Sequence, residues 1–436
     1  MKRPRKMIVY IAVFVTLLLV LYLLQVLWAT VPNDAIRKNM SKSGEYFLDE
    51  DLYAFAEDGV YQNITDNYAD QIWTNIGWNL GFENPFRSVL DTKYYDGETY
   101  PVSAGLYLSL TRDLDANASY TRYCHGTAGL IRVLHLFTDI HGIRRIGMLC
   151  LILLILRTLR ELIIRGHWDF GLCLLVSLLW VQFWNLRLSV EYLPCFLICF
   201  GLCPAFLQLE RRGDFFLNLL AIVSGTLTAF FDFLTTETVT ILLPLILVIA
   251  TRSRECRLGS PQKVMKMLLH CAICWVLAYL GTFVVKWAAV SLVTGENHFL
   301  AAMESVDQRV SGVVREGNLN RAPGMLMAIV ANLTVLFEGT SRIEYRQVLV
   351  YLAAVAMLIF IVYRLYRVRQ KLRPGTYFIL MLGGVVLLRY GVLANHSYLH
   401  SFFTYRALAS TILAVLSALA INLRPVKKGR GRSSWS

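Results

Sequence analysis

From Ile143 to Leu423 the chain is a succession of apolar runs, most of them near the length that crosses a bilayer, joined by short polar connections. A helix that is apolar on every side has no face to offer to water, so runs of this kind belong in lipid. They read as Ile146 to Ile164, Phe170 to Trp184, Val190 to Leu209, Phe215 to Phe231, Thr238 to Ala250, Met267 to Val293, Val348 to Tyr363, Tyr377 to Leu393 and Phe402 to Leu423. An earlier run, Met7 to Trp28, follows four basic residues within Met1 to Lys6. LWATVP offers no small-x-small cleavage site, so this run is expected to be an uncleaved anchor. The fold expected is an all-α membrane protein of about ten transmembrane helices with a large first extracytoplasmic loop carrying interfacial helices. A composition of 56% hydrophobic and 17% charged residues agrees with an integral membrane chain.

The formal net charge is +13, yet the basic residues cluster beside the apolar runs, where topology and anionic lipid headgroups account for them better than nucleic acid does. Arg252, Arg254, Arg257, Lys263 and Lys266 fall in one connection, and Arg364, Arg367, Arg369, Lys371 and Arg373 in another. The tail from Arg424 to Arg432 is basic as well. All three clusters lie on the inner side if the amphipathic piece Met325 to Phe337 stays at the outer surface, as the continuation of a second outer loop that begins at Thr294. That layout places a multi-pass chain in the cell membrane with both termini cytoplasmic. The domains are then an anchor (1–30), an extracytoplasmic loop (31–142), a transmembrane bundle (143–423) and a basic tail (424–436).

Within the loop, Val31 to Leu52 is expected to be helical, with Pro32 in the first turn and Asn33 or Asp34 near the cap. Asp66 to Leu80 is a second helix. Gly97 and Pro101 mark turns, Ser103 to Leu110 reads as a short strand or extended pass, and Tyr123 to Thr138 as an interfacial helix interrupted by Arg132 and His135. The run Thr238 to Ala250 covers only about 20 Å at helical rise. Its hairpin tip, Phe231 to Thr238, therefore dips below the outer surface. Asp232 and Glu237 then lie either in a watery or protein-lined cavity or at headgroup level. Cys195, Cys199 and Cys203 recur on one helix face and read as small apolar packing, as do Cys271 and Cys274. Cys124 is the only cysteine of the large loop.

The outward-facing ionisable residues make a set. Asp66 and Asp70 are four apart and share a helix face; one could take a proton from an acceptor hydroxyl, or both could hold a divalent cation through oxygen ligands. The bland alternative is a solvated acidic face with Asp66 as a cap. Arg122, Tyr123, His125 and Arg132 follow in the loop, Arg187 and Glu191 in the next outer connection, and Asp232 and Glu237 at the hairpin tip. NHSYLHSFFTYR (Asn395 to Arg406) supplies His396, His400, Tyr405 and Arg406, and Arg389 lies seven residues before His396. An arginine inside a span needs a counter-charge. Arg389 and Arg406 either pair with Asp232 or Glu237 as glue within the bundle or, with the histidines, bind a lipid-borne phosphate. No Walker loop, GxSxG elbow or HExxH stretch occurs.

The segments RYCHG (Arg122 to Gly126), FFDFLTT (Phe230 to Thr236) and NHSYLHSFFTYR resemble those of an uncharacterised multi-pass membrane family of Gram-positive bacteria, in which Trp is expected where this chain has Cys124. More broadly, an anchor, a large acidic first outer loop with interfacial helices, and then a bundle is similar to the GT-C glycosyltransferases. Protein mannosyltransferases, oligosaccharyltransferases and lipid A aminoarabinose transferases belong to that group. The resemblance implies a polyprenyl-phosphate-linked sugar as donor, a cell-envelope glycan or lipid as acceptor and a loop Asp as base or metal ligand. It also implies that Arg and His near the membrane surface hold the donor phosphate. The Asp of that group follows closely on the first span, often in an Asp-Glu pair. Here Asp34 is near the span but isolated, and Asp66 and Asp70 lie further along. The expected roles are Asp66 or Asp70 as base, Arg389, Arg406 and His396 or His400 on the phosphate, and Arg122 and His125 closing the pocket. Two other readings stay open: a transporter or flippase of a lipid-linked sugar, and a non-catalytic envelope scaffold.

Overall fold

The computed structural model describes residues 3–56, 60–81, 84–97, 101–311, 321–337, 363 and 372–423, and most of them are helical. Among them, six helices are long and apolar enough to cross a membrane: Pro4–Ala29, Pro194–Arg212, Asp214–Phe231, Pro261–Thr294, Gly375–Val392 and Ser401–Leu423. The first of these, α1 (Arg3–Ala29), leaves Ile8, Ile11, Leu19, Leu23 and Leu27 exposed along its length, which suits lipid and not water. The expected run Val348 to Tyr363 (apart from Tyr363 itself), the basic cluster at 364–371 and the tail 424–436 lie outside the described residues.

The loop between α1 and the bundle, called the outer loop after the expectation above, is built around one helix. It begins with α2 (Asn33–Asp49), where Pro32 occupies the N-cap and not the first turn, since its fixed φ of −65° fits either position. Next comes α3 (Asn67–Asn79), flanked by Asp66 as N-cap and Leu80 as C-cap. Apart from Tyr68, every residue of α3 from Asn67 to Trp78 is buried, although the helix is rich in polar side chains. Such a helix persists only if its neighbours satisfy it. The short α4 (Pro85–Leu90) ends against Lys286, whose ammonium donates to the Val89 and Leu90 carbonyls. The expected extended pass at Ser103 to Leu110 is instead a 3-10 turn running into α5 (Gly105–Thr111). The alternation Leu106, Leu108, Leu110 imitates a strand, but all three are buried by packing on α2 and α3, so periodicity misled. The described strands are two-residue pieces, Lys93–Tyr94 and Ala118–Ser119, paired antiparallel.

The loop's last helix, α6 (Gly126–Leu134), is shorter than expected and is clamped to α3. A Cβ on Gly77 would lie 2.9 Å from the Ala128 carbonyl, so only glycine permits this approach. Arg132 reaches across to donate to Gly77 O (2.8 Å), Trp78 O (3.0 Å), Asn33 Oδ1 (2.6 Å) and Val31 O, completing the carbonyl end of α3. From the anchor, buried Gln25 donates to the Cys124 and His125 carbonyls.

The bundle then follows with α7 (Ile140–Ile164), α8 (Trp168–Trp180), α9 (Pro194–Leu209), α10 (Asp214–Phe231), α11 (Val239–Arg254) and α12 (Pro261–Thr294). α11 is central: every residue from Val239 to Thr251 is buried, with α9 on one side. After it come α13 (His298–Ser311), α14 (Arg321–Phe337), α15 (Gly375–Val392), the short α16 (Ala394–Leu399) and α17 (Ser401–Thr404), and α18 (Leu408–Leu423). The expected last span, Phe402 to Leu423, lies within Ser401–Leu423 and tightens to a 3-10 turn at Tyr405–Ala407. The piece Met325 to Phe337 lies within α14 and touches the outer loop, where Gln62 donates to Val335 O at 2.6 Å. At the opposite end, Arg252 and Arg257 hold Glu210, Arg254 holds Asp169, and Glu255 takes Arg211, Arg257 and His167.

Candidate functional site

The hairpin tip between α10 and α11 forms the floor. Asp232 accepts from the Thr235 amide (2.9 Å) and hydroxyl (2.6 Å), which folds the tip into a tight turn with Leu234 at φ +71°. The turn drives Phe233 into an aromatic cluster from the outer loop: Trp73 at 4.3 Å, Tyr123 at 4.8 Å, His125 at 5.3 Å and Tyr120 at 5.8 Å between ring centroids. Both acids of the tip are buried among protein groups: Asp232 is 3% exposed and Glu237 4%. Glu237 grips Arg389 through both oxygens, at 2.8 and 3.0 Å. Arg389 also donates to Ser397 Oγ (2.9 Å), Leu234 O (3.0 Å) and Thr235 O (3.3 Å). Its donors are spent, so neither Arg389 nor Glu237 is free to hold a substrate phosphate. His396 likewise bonds Leu234 O at 2.8 Å, and burial pushes its pKa well down, leaving a neutral ring that pins the turn.

Asp66 and Asp70, expected to act alike, have different fates. Asp70 is fully buried; one oxygen accepts from Ser189 Oγ (2.8 Å) and the Glu191 amide (3.2 Å), the other from the Val190 amide (3.0 Å) and Arg144 Nε (2.8 Å). A carboxylate so saturated has no lone pair left for an acceptor hydroxyl or a cation, which removes it as base and as metal ligand. It is the pin that fixes the 189–191 connection and α7 to α3. Asp66 turns back to cap α3 through Oδ1, with Ala69 N at 2.9 Å. It meets Glu191, carboxyl to carboxyl. Burial pushes Asp66 up to about 6, and pushes Glu191, beside Asp66 and Asp232, well above the usual carboxyl range. Two buried carboxyls in contact cannot both ionise cheaply, so the pair keeps a proton at neutral pH. Glu191 Oε2 has no partner among the described residues.

The cations lie nearby. Arg122 rests on the Tyr120 ring (4.5 Å), donates to Tyr120 Oη (2.9 Å) and reaches Ser305 Oγ (3.4 Å). Arg309, one turn after Ser305 on α13, donates to Ser305 O (2.8 Å) and to Tyr123 Oη (2.8 Å). The two half-buried guanidiniums flank Tyr123 at 5.7 and 5.8 Å from its ring, and no described carboxylate pairs with either. Among the described residues their Nε groups have no partner, nor do His400 Nδ1 and His125 Nδ1. His400 is partly exposed, lies 4.7 Å from His396 with the rings tilted, and is pushed down to about 4 by burial and by Arg309. His125 adopts a left-handed φ of +56° and bonds Tyr120 O at 2.6 Å. Burial keeps it neutral. Tyr68, on the rim, is within electrostatic reach of Arg122 and Asp66 together, and its stacking partner Tyr53 is within reach of Asp66 and Glu191. The carboxyl pair and the guanidinium pair therefore share one neighbourhood beneath exposed tyrosines.

Arg406 and Tyr405 do not belong to it. Arg406 is 1% exposed, sandwiched by Tyr192 (4.4 Å) and Tyr405 (5.1 Å), and donates to Gln62 O (3.1 Å). The void beside it measures about 140 Å³ and is too narrow to admit water, so a lipid phosphate does not reach it. Tyr405 donates to Val181 O at 3.1 Å and is fully buried. The sequence reading passed over Arg144, Ser305 and Arg309. Arg309 carried a signal, a basic residue one turn after a serine in an amphipathic stretch. Arg144 carried only its place at the mouth of an apolar run. No cluster of three or more His, Cys, Asp or Glu suited to a metal occurs among the described residues. No protein-family model matches the chain, and neither a curated protein nor a solved structure does.

Proposed function

We propose that the protein is a membrane glycosyltransferase of GT-C type that takes a sugar from a polyprenyl-phosphate carrier and passes it to a cell-envelope acceptor on the outer face. In this reading about ten spans cross the cell membrane with both termini cytoplasmic. The observation that supports it is the pair Arg122 and Arg309: half-buried, unpaired with any described acid, and close to a carboxyl pair that shares a proton. Unbalanced guanidiniums at a partly buried site are costly without an anion, and their planar forks suit phosphate oxygens.

The chemistry balances as follows. The acceptor hydroxyl oxygen bonds to the anomeric carbon while the bond from that carbon to the carrier phosphate oxygen breaks. The phosphate leaves with the electron pair and is held by Arg122 and Arg309, with His400 as a neutral donor. The hydroxyl proton passes to the Asp66–Glu191 pair, which carries one negative charge and one vacant proton position at neutral pH. Tyr53 and Tyr68 supply stacking surfaces for the sugar.

The test is release of polyprenyl phosphate and labelling of envelope glycan from a panel of polyprenyl-phosphate sugars, with the full chain in vesicles. Asp66→Asn and Glu191→Gln should each lower turnover by about 10²–10⁴-fold. Arg122→Ala with Arg309→Ala should abolish it. Turnover at the wild-type rate in all these variants removes the reading. The carboxyl pair would also suit a proton-coupled carrier. Movement of the intact lipid-linked sugar without release of carrier phosphate would favour that alternative.

A further inference from the structure

A groove of about 810 Å³ runs between α1, α10 and α12 at the end of the bundle that carries the N-terminus, far from the carboxyl pair. Its inner end is closed where the Phe14 ring meets Gly281; a Cβ there would lie 3.2 Å from the ring, a tight approach that the glycine relieves. From that crossing toward the N-terminal face α1 and α12 part. Along α12 the lining runs from Lys263 to Ala278, about 22 Å at 1.5 Å per residue. That matches a headgroup plus one leaflet of hydrocarbon, roughly 15 Å deep.

The groove is graded in polarity. Its depth is lined by Ile222, Ile273 and Leu277, and it opens sideways, with Ile11, Ile273 and Leu277 more than half exposed. Its mouth carries Lys6, Lys263, Lys266 and His270. Lys6 sits over the Phe215 ring at 5.8 Å, and none of the three lysines pairs with a described carboxylate. The acid at the mouth is Asp214, 3.5 Å from Arg252 and so already partly balanced. A water-soluble ligand would not seek an apolar trough open to lipid, and a zwitterionic headgroup would bring a cation toward three unpaired ammoniums.

We propose that this groove binds an anionic glycerophospholipid of the leaflet on the N-terminal side, its phosphate among the lysines and one acyl chain along α12 as far as Phe14. The charge complementarity at the mouth and the length of the apolar trough select that occupant.

The experiment uses the full chain reconstituted in discs of equal phosphatidylglycerol and phosphatidylcholine, extracted into detergent, with retained lipid counted by native mass spectrometry. Wild type should keep phosphatidylglycerol in preference to phosphatidylcholine. Lys6→Ala, Lys263→Ala and Lys266→Ala together should cut that preference by about fivefold per lysine. Arg157→Ala with Arg160→Ala, which removes exposed charge from α7, a helix that does not line the groove, should leave it unchanged. Ile11→Trp, at a lipid-exposed position, should displace the lipid while keeping every lysine. Equal retention of both lipids by wild type overturns the proposal. So does wild-type preference in the lysine variant or in Ile11→Trp, or an equal loss in the α7 variant.

Discussion

Asp70→Asn should loosen the outer loop from the bundle and not merely remove a chemical group. Each oxygen of Asp70 faces a backbone amide, Glu191 on one and Val190 on the other, and Arg144 depends on it for counter-charge. Whichever oxygen becomes the amide nitrogen, an N–H then faces a donor. One unsatisfied buried donor costs about 1–3 kcal/mol. Orphaning one member of a buried ion pair costs about 3–5 kcal/mol, and Arg144 is only 5% exposed. The sum, roughly 4–8 kcal/mol, is comparable with the entire stability of many domains. Cys124 gives the readout: it is fully buried between α1 and the hairpin, and it is the loop's single cysteine. Its maleimide labelling, followed by peptide mass spectrometry against temperature, should begin roughly 10 °C or more below wild type in Asp70→Asn. Adding Arg144→Met should recover much of the loss, because the remaining pair is then uncharged. Asp66→Asn should label as wild type does, since asparagine caps a helix as well as aspartate. An unchanged labelling temperature in Asp70→Asn, or an equal fall in Asp66→Asn, would refute the division of labour between the two residues.

Three further outcomes can be measured in the same preparation. The folded carboxyl pair has raised pKa values, about 6 for Asp66 and higher for Glu191, so the native chain holds protons that the unfolded chain has released. Stability is therefore fullest below about pH 4 and falls as pH rises through about 6; Asp66→Asn should flatten that slope in the Cys124 labelling midpoint. Arg389→Ala should lower the unfolding temperature of the bundle by stranding Glu237 at a cost of about 3–5 kcal/mol, whereas Arg389→Met with Glu237→Leu should cost far less. Gly126→Ala would set a Cβ 2.4 Å from the Phe230 ring and 2.9 Å from its carbonyl, costing about 1–3 kcal/mol and exposing Cys124, while Gly201→Ala in α9 meets no atom within 4 Å and should be neutral or slightly stabilising.

What could be read in advance followed hydrophobic periodicity. The helix at Asp66 to Leu80 appears within a residue at either end, because Asp66 is a strong N-cap and the apolar spacing is unbroken. The tip at Phe231 to Thr238 was expected to sit either in a protein-lined cavity or at headgroup level, and its two acids are buried among protein groups. Pairing was not legible. Nothing in spacing distinguishes Asp66, which ends beside Glu191, from Asp70, which ends on Arg144, seventy-four residues away. The same blindness put Arg389 and Arg406 in one class: one has a carboxylate and the other two tyrosine rings. Cys124 illustrates the limit from the other side. Its position reads as an unpaired loop thiol, yet Gln25 and the Phe230 side chain bury it completely.

The polar connections explain why the bundle tolerates so much charge at the end that meets the 31–142 loop. Three stretches break regular helix there: 181–193, 232–238 and 393–407. Irregular backbone at membrane depth survives only where protein or enclosed water satisfies it. Here the stretches satisfy one another and the outer loop. Asp70 takes the 190 and 191 amides, Arg389 and His396 take the 234 carbonyl, Tyr405 takes the 181 carbonyl, and Arg406 takes the 62 carbonyl. Each buried charge thus closes a backbone account that helix geometry left open. Arg122 and Arg309 differ in that their bonds run to hydroxyls and to the carbonyl one turn back on α13, contacts that bridge no broken backbone. Arg144 and Arg389 are tied to carboxylates and Arg406 is shut between two tyrosine rings beside a void too narrow for water, whereas Arg122 and Arg309 are half-buried and pair with no described carboxylate, which is why the anion site is proposed at them and not at the arginines deeper in the bundle.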